Sequence, residues 1–167
     1  EAAITPKTKL LVMPFPNNPT GAIMEKKDLE KIADIVREHD LYVISDEIYS
    51  ELTYLERHVT IASLQGMRDR TIVINGFSKS HAMTGWRLGY MAGPRNILSR
   101  LPKLQENMPS CLPEFVQYAG IEALKKGGIQ AIEVTLNTPG ALQVISHYQN
   151  VSDLLIGAGT VLDEASC

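Results

Sequence analysis

Short apolar runs separated by turn-forming residues dominate the first two thirds of the chain. Four of them have the length and composition of buried strands, and each is followed by small or polar residues. The predicted strands cover residues 9–14, 41–47, 71–77 and 87–93. Between the first two strands, apolar residues recur at helical spacing with acidic residues early and basic residues late, which predicts a helix over residues 25–39.

The same alternation of helices and strands continues to the end of the chain. Further helices are predicted over residues 114–126 and 139–148, and further strands over residues 131–136 and 154–159. This pattern favours an α/β protein in which all 167 residues form one domain. We predict a single three-layer α/β/α sandwich with a mostly parallel sheet of about six strands.

Polar side chains follow several of these strands. Ligands of parallel sheets bind beyond the carboxyl ends of the strands, so these residues are the candidates for a site. They are Asn18, Asp46, Lys79, Glu133 and Thr160. Each also has an ordinary structural explanation when it is considered alone, such as a turn residue, a helix cap or a solvated charge.

Five side chains of the first part of the chain have complementary chemistry. Asn18 is an amide, Asp46 a carboxylate, Tyr49 a phenol, Lys79 an amine and Arg87 a guanidinium. A lysine can form a Schiff base with an aldehyde cofactor, a carboxylate can keep a ring nitrogen protonated, and a guanidinium pairs with phosphate. The alternative for the guanidinium is an ion pair with Asp46 or with the neighbouring Glu47.

Three linked motifs carry these residues: NNPTG, SDEIY and NGFSKSHAMTGWRLGY. In this order and spacing they resemble the large domain of the fold-type-I pyridoxal-phosphate aminotransferases, over about residues 1–122. The resemblance implies that one strand, over residues 87–93, is antiparallel in a mixed sheet.

By the same resemblance, Asn18 and Tyr49 would bind the ring oxygen of the cofactor and Asp46 its pyridine nitrogen. Lys79 would be the Schiff-base lysine, and Arg87 would bind the phosphate with Ser78 as a further neighbour. Gly76 stands where many members carry a phosphate-binding serine.

The last part of the chain, about residues 123–167, resembles a different family. The segments ALKKGGIQAIEVTLNTPGALQVI and LIGAGTVLDEAS are similar to the 2-keto-3-deoxy-6-phosphogluconate aldolases, which are TIM barrels. The resemblance implies an acid/base role for Glu133 and places Thr160 in the substrate site, whereas Asn137 replaces a common arginine. The Schiff-base lysine of that family would lie beyond Cys167.

Much of each family's chain has no counterpart here, and the sequence begins at Glu1 rather than at a methionine, which suggests a fragment. We therefore expect an engineered chimera with a structural purpose, no efficient catalysis, and at most weak pyridoxal-phosphate binding that folding does not require. The alternative is a pyridoxal-phosphate aminotransferase-type enzyme that uses Lys79. A third hypothesis is a binding module for small phosphorylated molecules built from Arg87 and residues 157–160.

Charge and composition limit the remaining possibilities. The net charge is -3, which gives no basic field for nucleic acid, and no apolar stretch reaches the roughly 20 residues that cross a bilayer. Cys111 and Cys167 have no metal-site spacing, so no metal is expected. These features predict a soluble, cytoplasmic protein, and an unpaired edge strand could pair two copies of it.

Overall fold

The computed structural model describes residues 2–54, 56–101, 104, 112–127, 131–135, 140–151 and 155–159. These residues belong to two compact units, Glu1–Arg95 and Asn96–Cys167. Each unit has a β-sheet of its own. The prediction that all residues share one domain stays a prediction.

The first unit contains a four-stranded sheet in the order β1-β2-β3-β4. Strands β1, β2 and β3 are parallel, and β4 is antiparallel to β3. This arrangement confirms the α/β class and the mixed sheet. The elements are β1 (Leu10–Pro14), α1 (Lys26–Glu38), β2 (Tyr42–Asp46), β3 (Thr71–Gly76), α2 (Phe77–Ser80) and β4 (Gly89–Ala92), and a short helix α3 (Arg95–Leu98) follows them.

Helix α1 covers one face of this sheet because its apolar residues recur on one side. Leu29, Ala33 and Val36 are spaced four and three residues apart and are buried. They pack in a cluster with Met13 of β1 and Val43 of β2. Burial of this stripe, rather than helix propensity, provides most of the stability of such a helix.

The opposite face of the sheet is open to solvent. Side chains alternate along β1, so Leu11 packs against the core whereas Leu10 and Val12 are 45% and 58% exposed. Ile44 of β2 lies beside Val12 and therefore shares its exposed face. Asp46 is two residues further along β2, so it lies on the same face as Ile44. Asp46 therefore lies on the open face, at its carboxyl edge.

The second unit is a βαβ arrangement preceded by a helix. It contains α4 (Glu114–Lys126), β5 (Ala131–Thr135), α5 (Ala141–Val151) and β6 (Leu155–Gly159). Strands β5 and β6 are parallel partners over their whole length. Its core cluster consists of Ile121, Ala141, Val144, Ile145, Tyr148 and Ile156.

The described strands therefore do not form one sheet of six, as predicted, but a sheet of four and a sheet of two. Strands β5 and β6 pair with each other, and the single helix α5 lies between them in the sequence. Strands that follow each other in the sequence in this way commonly pair. Alternation along the chain shows that strands exist, but it does not show which edges meet.

Gly76 is required by a close approach of two strands. A Cβ atom at this position would lie 3.0 Å from the Leu88 carbonyl oxygen and 3.1 Å from Gly89 Cα, both of which are backbone atoms. We expect Gly76→Ala to lower the free energy of unfolding by about 1–3 kcal/mol, measured by urea denaturation. Gly85→Ala is the matched control, because nothing lies within 4 Å of its Cβ position. Equal stabilities of the two variants would contradict this explanation.

Candidate functional site

Three of the predicted cofactor residues lie together at one edge of the four-stranded sheet. Asn18, Tyr49 and Lys79 follow β1, β2 and β3, and because these strands are parallel their carboxyl ends share that edge. Asn18 Nδ2 donates a hydrogen bond to Tyr49 Oη over 3.1 Å. Lys79 Nζ lies 5.5 Å from the centre of the Tyr49 ring, within the range of a cation–π interaction. An amide, a phenol and an amine thus form one cluster.

The turn after β1 presents Asn18 to this cluster. Asn17 N donates to the Ala22 carbonyl over 2.9 Å, and Gly21 N donates to the Asn17 carbonyl over 2.8 Å. Thr20 Oγ1 closes the turn with a 2.8 Å hydrogen bond to Asn17 Oδ1. Gly21 has a φ of 69°, a left-handed conformation that glycine adopts without a steric penalty.

Asp46 is the last residue of β2 and lies at the same edge. Its Oδ1 atom accepts a 3.2 Å hydrogen bond from the Ile48 backbone N–H. This bond holds the carboxylate where the chain turns out of the sheet. Among the described residues, no lysine or arginine forms an ion pair with Asp46.

Arg87 and Ser78 are not joined to this cluster by a contact between described residues. Arg87 follows a short 3-10 turn and has a φ of 54°, in the left-handed region. Its Nη1 atom donates to the Thr84 carbonyl over 3.1 Å, and the side chain is exposed. Ser78 lies half-buried within α2. Since Arg87 pairs with neither Asp46 nor Glu47 in the described chain, the alternative of an internal ion pair is not realised.

The donor set at this edge suits an anionic aldehyde with a basic ring. An exposed amine at Lys79 lies beside a phenol that can donate to a ring oxygen. A carboxylate at Asp46 can pair with a protonated ring nitrogen, and an exposed guanidinium at Arg87 can pair with a phosphate. The residues present therefore fit pyridoxal phosphate.

The two predicted residues of the aldolase-like segment have separate outcomes. Glu133 lies in the middle of β5, beside Gly157 of β6 in the register, rather than at the end of a strand. Thr160 and Asn137 lie outside the described residues. The acid/base role of Glu133 stays a prediction.

A buried carboxylate next to the cluster was missed as a functional candidate. Glu47 is 4% exposed, and its Oε1 atom accepts hydrogen bonds from Thr60 Oγ1 over 2.6 Å and from Ser45 Oγ over 2.9 Å. Its Oε2 atom lies 2.9 Å from His58 Nε2, which forms an ion pair when the imidazole is protonated. His58 Nε2 makes no well-directed hydrogen bond within the described residues, so this contact is mainly electrostatic. The only sequence signal for Glu47 was its place in the SDEIY motif.

The Glu47 contacts predict a pH dependence of stability. Burial alone would raise the pKa of Glu47, but the close His58 imidazole and the hydrogen bonds from Thr60 and Ser45 together outweigh burial and lower the pKa. A carboxylate with a lowered pKa stabilises the folded state above its unfolded pKa of about 4.3, and this contribution disappears as the pH falls through the folded value. In urea denaturation at pH 7 to 3, we therefore expect the free energy of unfolding to fall less steeply for Glu47→Gln than for the wild type. The exposed Glu51→Gln variant should follow the wild-type slope, and parallel curves for all three proteins would contradict the assignment.

A separate cleft of about 610 Å³ opens on the other face of the sheet. Val73 and Asn75 of β3 line this cleft. Ile74, which stands between them, lies beside Asp46 and shares its open face, so Val73 and Asn75 lie on the opposite face. Glu47 and His58 also line the cleft. It includes none of the predicted cofactor residues, so its size does not identify it as the cofactor site.

Among the residues that the structure describes, no helix combines the length and the hydrophobicity of a membrane span. The same residues contain no group of three or more His, Cys, Asp or Glu side chains placed to hold a metal ion.

Two family models match the chain. Aminotransferase class I and II matches residues 1–139, and KDPG and KHG aldolase matches residues 114–167. Both resemblances are thus confirmed. The predicted join near residue 122 falls in the overlap of the two matches and stays a prediction.

Individual relatives match the first part of the chain closely. An aspartate aminotransferase of Pyrococcus abyssi is 52% identical over 123 residues, which cover 73% of this chain and 32% of that protein. An aromatic-amino-acid aminotransferase of Thermococcus litoralis is 48% identical over 135 residues, which cover 80% and 35%. The crystal structure of an aromatic aminotransferase from Pyrococcus horikoshii has a TM-score of 0.71 at 46% identity and covers 87% of this chain and 36% of that one. The chain thus spans about a third of the length of these relatives.

These relatives correct the prediction of a structural chimera without efficient catalysis. Proteins that share about half of the aligned residues are named aminotransferases, so that prediction is wrong and its alternative, an aminotransferase-type protein, is favoured. The inclination towards a protein without catalytic activity has no support. Nor do the relatives support the qualification that pyridoxal phosphate would bind only weakly.

Proposed function

Because the chain belongs to the class I and II aminotransferase family, we propose that it provides the pyridoxal-phosphate site of an enzyme that transfers amino groups between amino acids and keto acids. Two relatives are named for aspartate and for aromatic amino acids, which supports an α-amino acid as the substrate class.

The cluster of Asn18, Tyr49 and Lys79 carries this proposal. A hydrogen bond between residues that are 31 positions apart and an amine 5.5 Å from the centre of the same phenol ring bring together three motifs from different strand ends. A set of unrelated turn residues would not be expected to converge in this way. The family places pyridoxal phosphate among these motifs, and the donor set fits it.

Each residue would bind a different part of the cofactor. Tyr49 and Asn18 would donate hydrogen bonds to its ring oxygen, and Asp46 would pair with its ring nitrogen. Arg87 would pair with the phosphate, with Ser78 as a second donor. When bound, pyridoxal phosphate supplies an electron-withdrawing ring that stabilises negative charge on the α-carbon of an amino acid.

Lys79 would have two tasks. Its exposed Nζ atom is the amine that can bond to the cofactor aldehyde. The same Nζ atom, once free, would accept the proton that leaves the α-carbon of the amino acid. The neighbouring Tyr49 ring keeps Nζ at this edge of the sheet through the cation–π contact.

A cofactor titration tests the proposal. Purified protein is titrated with pyridoxal phosphate while the visible absorbance is recorded, and an α-amino acid is then added. We expect a saturable visible band that the amino acid discharges, with release of the matching keto acid. An absorbance that increases linearly without saturation would show nonspecific reaction with surface lysines and would contradict the proposal. A saturable band that no amino acid discharges would contradict the transfer activity.

A further inference from the structure

Glu47 and Asp46 are consecutive residues with opposite surroundings. Asp46 is half-buried at the edge where the cofactor residues lie. Glu47 is 4% exposed and lines the cleft on the other face of the sheet. A buried ionised carboxylate is costly unless several donors satisfy it. Glu47 meets this condition through the hydrogen bonds that it accepts from Ser45 and Thr60, and its second oxygen faces the His58 imidazole.

These contacts close the loop that carries Tyr49. Glu47 begins the loop, and its carboxylate binds Thr60 thirteen residues later, at 2.6 Å. The Glu47 backbone N–H donates to the Ile74 carbonyl over 2.8 Å, which extends the pairing of β2 with β3. At the other side of Tyr49, Ser50 Oγ accepts a 3.0 Å hydrogen bond from Asn75 Nδ2. Tyr49 thus lies between Glu47, which is hydrogen-bonded to β3 and to Thr60, and Ser50, which is hydrogen-bonded to Asn75 of β3.

We propose that Glu47 is a positioning residue for this site: through the hydrogen bond that it accepts from Thr60 and its close contact with the His58 imidazole, it holds Asp46 and Tyr49 where they meet the cofactor. This inference rests on the proposed function. A carboxylate has about four acceptor positions on two oxygens, so its Oε1 atom can accept from Ser45 and Thr60 while its Oε2 atom faces His58. An amide of equal size at this position loses the negative charge opposite His58 and one of the two acceptor oxygens.

The first test uses the protein without cofactor. The side-chain amide of Asn18 donates to Tyr49 Oη, so its ¹⁵N–¹H resonances report the position of the phenol. Tyr49→Phe removes the acceptor and should shift these resonances towards those of a solvated amide. Glu47→Gln should shift them in the same direction, whereas Glu51→Gln, an exposed carboxylate of the same loop, should leave them unchanged.

The second test measures the dissociation constant of pyridoxal phosphate. Glu47→Gln should weaken binding by roughly 10- to 100-fold, because a misplaced Tyr49 or Asp46 loses a charged hydrogen bond to the cofactor. In the Tyr49→Phe background the same substitution should weaken binding several-fold less, since part of its effect acts through the missing hydroxyl. Glu51→Gln should bind as the wild type does.

The outcomes separate the positioning role from a general loss of stability. All measurements are made where circular dichroism shows each variant to be folded, and Thr60→Val, which removes one donor, replaces Glu47→Gln if the latter does not fold. Unchanged Asn18 resonances in the folded variant, or equal losses of affinity in both Tyr49 backgrounds, would overturn the proposal. If the resonances shift but the wild type gives no saturable band, the proposed function fails while the positioning of Tyr49 by Glu47 stands.

Discussion

Replacement of Lys79 by alanine is expected to abolish the saturable visible band that pyridoxal phosphate gives with the wild-type chain. The band requires an amine that bonds to the aldehyde, and Lys79 provides it beside Tyr49 at the carboxyl edge of the sheet. Transfer from an amino acid should be lost as well, because the same Nζ atom moves the proton. Absorbance titration and keto-acid release measure the two effects.

Two further variants distinguish this lysine from other cations. Lys79→Arg keeps a positive charge for the Tyr49 ring, but a guanidinium stays protonated and cannot bond to the aldehyde, so the band should be lost here also. Lys31→Ala removes a lysine of α1 that is 73% exposed and pairs with Asp28, and it should leave the band unchanged. A saturable band in Lys79→Ala would show that another amine binds the cofactor.

Leu29→Ala should give the largest loss of stability among the substitutions considered. Leu29 is 3% exposed and packs with Met13, Val36 and Val43 between α1 and the sheet. Removing a buried leucine side chain costs about 2–5 kcal/mol, because transfer energy is lost and a cavity remains. This is a large part of the roughly 5–15 kcal/mol that stabilises an ordinary domain.

The chain offers a convenient measurement and a matched control for this prediction. Trp86 is the single tryptophan and lies in the first unit, so its fluorescence during urea denaturation reports the unfolding of that unit. Leu10→Ala, on the open face of the same sheet at 45% exposure, should cost only about 1 kcal/mol. Equal losses for both leucines would mean that α1 does not cover the core face as described.

The local elements of the first unit could be predicted well from hydrophobic periodicity. The helix predicted over residues 25–39 is observed as Lys26–Glu38, and the strand predicted over residues 41–47 as Tyr42–Asp46. Such segments are short in sequence and their burial repeats with the period of the backbone, so the sequence contains the information directly. For the same reason the sequence located Asp46 at the end of β2 and Lys79 shortly after β3.

The contacts of Glu47 and Arg87 could not be predicted in this way. Glu47 was considered only as a partner for Arg87, yet it binds His58 and Thr60, which lie in a loop without a periodic pattern. Arg87 instead donates to the Thr84 carbonyl from a left-handed backbone conformation. Both outcomes depend on the path of a loop and the direction of a side chain, which composition and spacing leave undetermined.

By itself the sequence determined an α/β protein, the positions of its strands and the residue types that follow them, because local burial patterns and motifs are encoded along the chain. Only the tertiary structure decided that Asn18 meets Tyr49, that Glu47 closes the loop beside them, and that the described strands divide into sheets of four and two. The physical reason is that these features join residues far apart in sequence. These contacts depend on which strand edges and side chains approach each other as the chain folds.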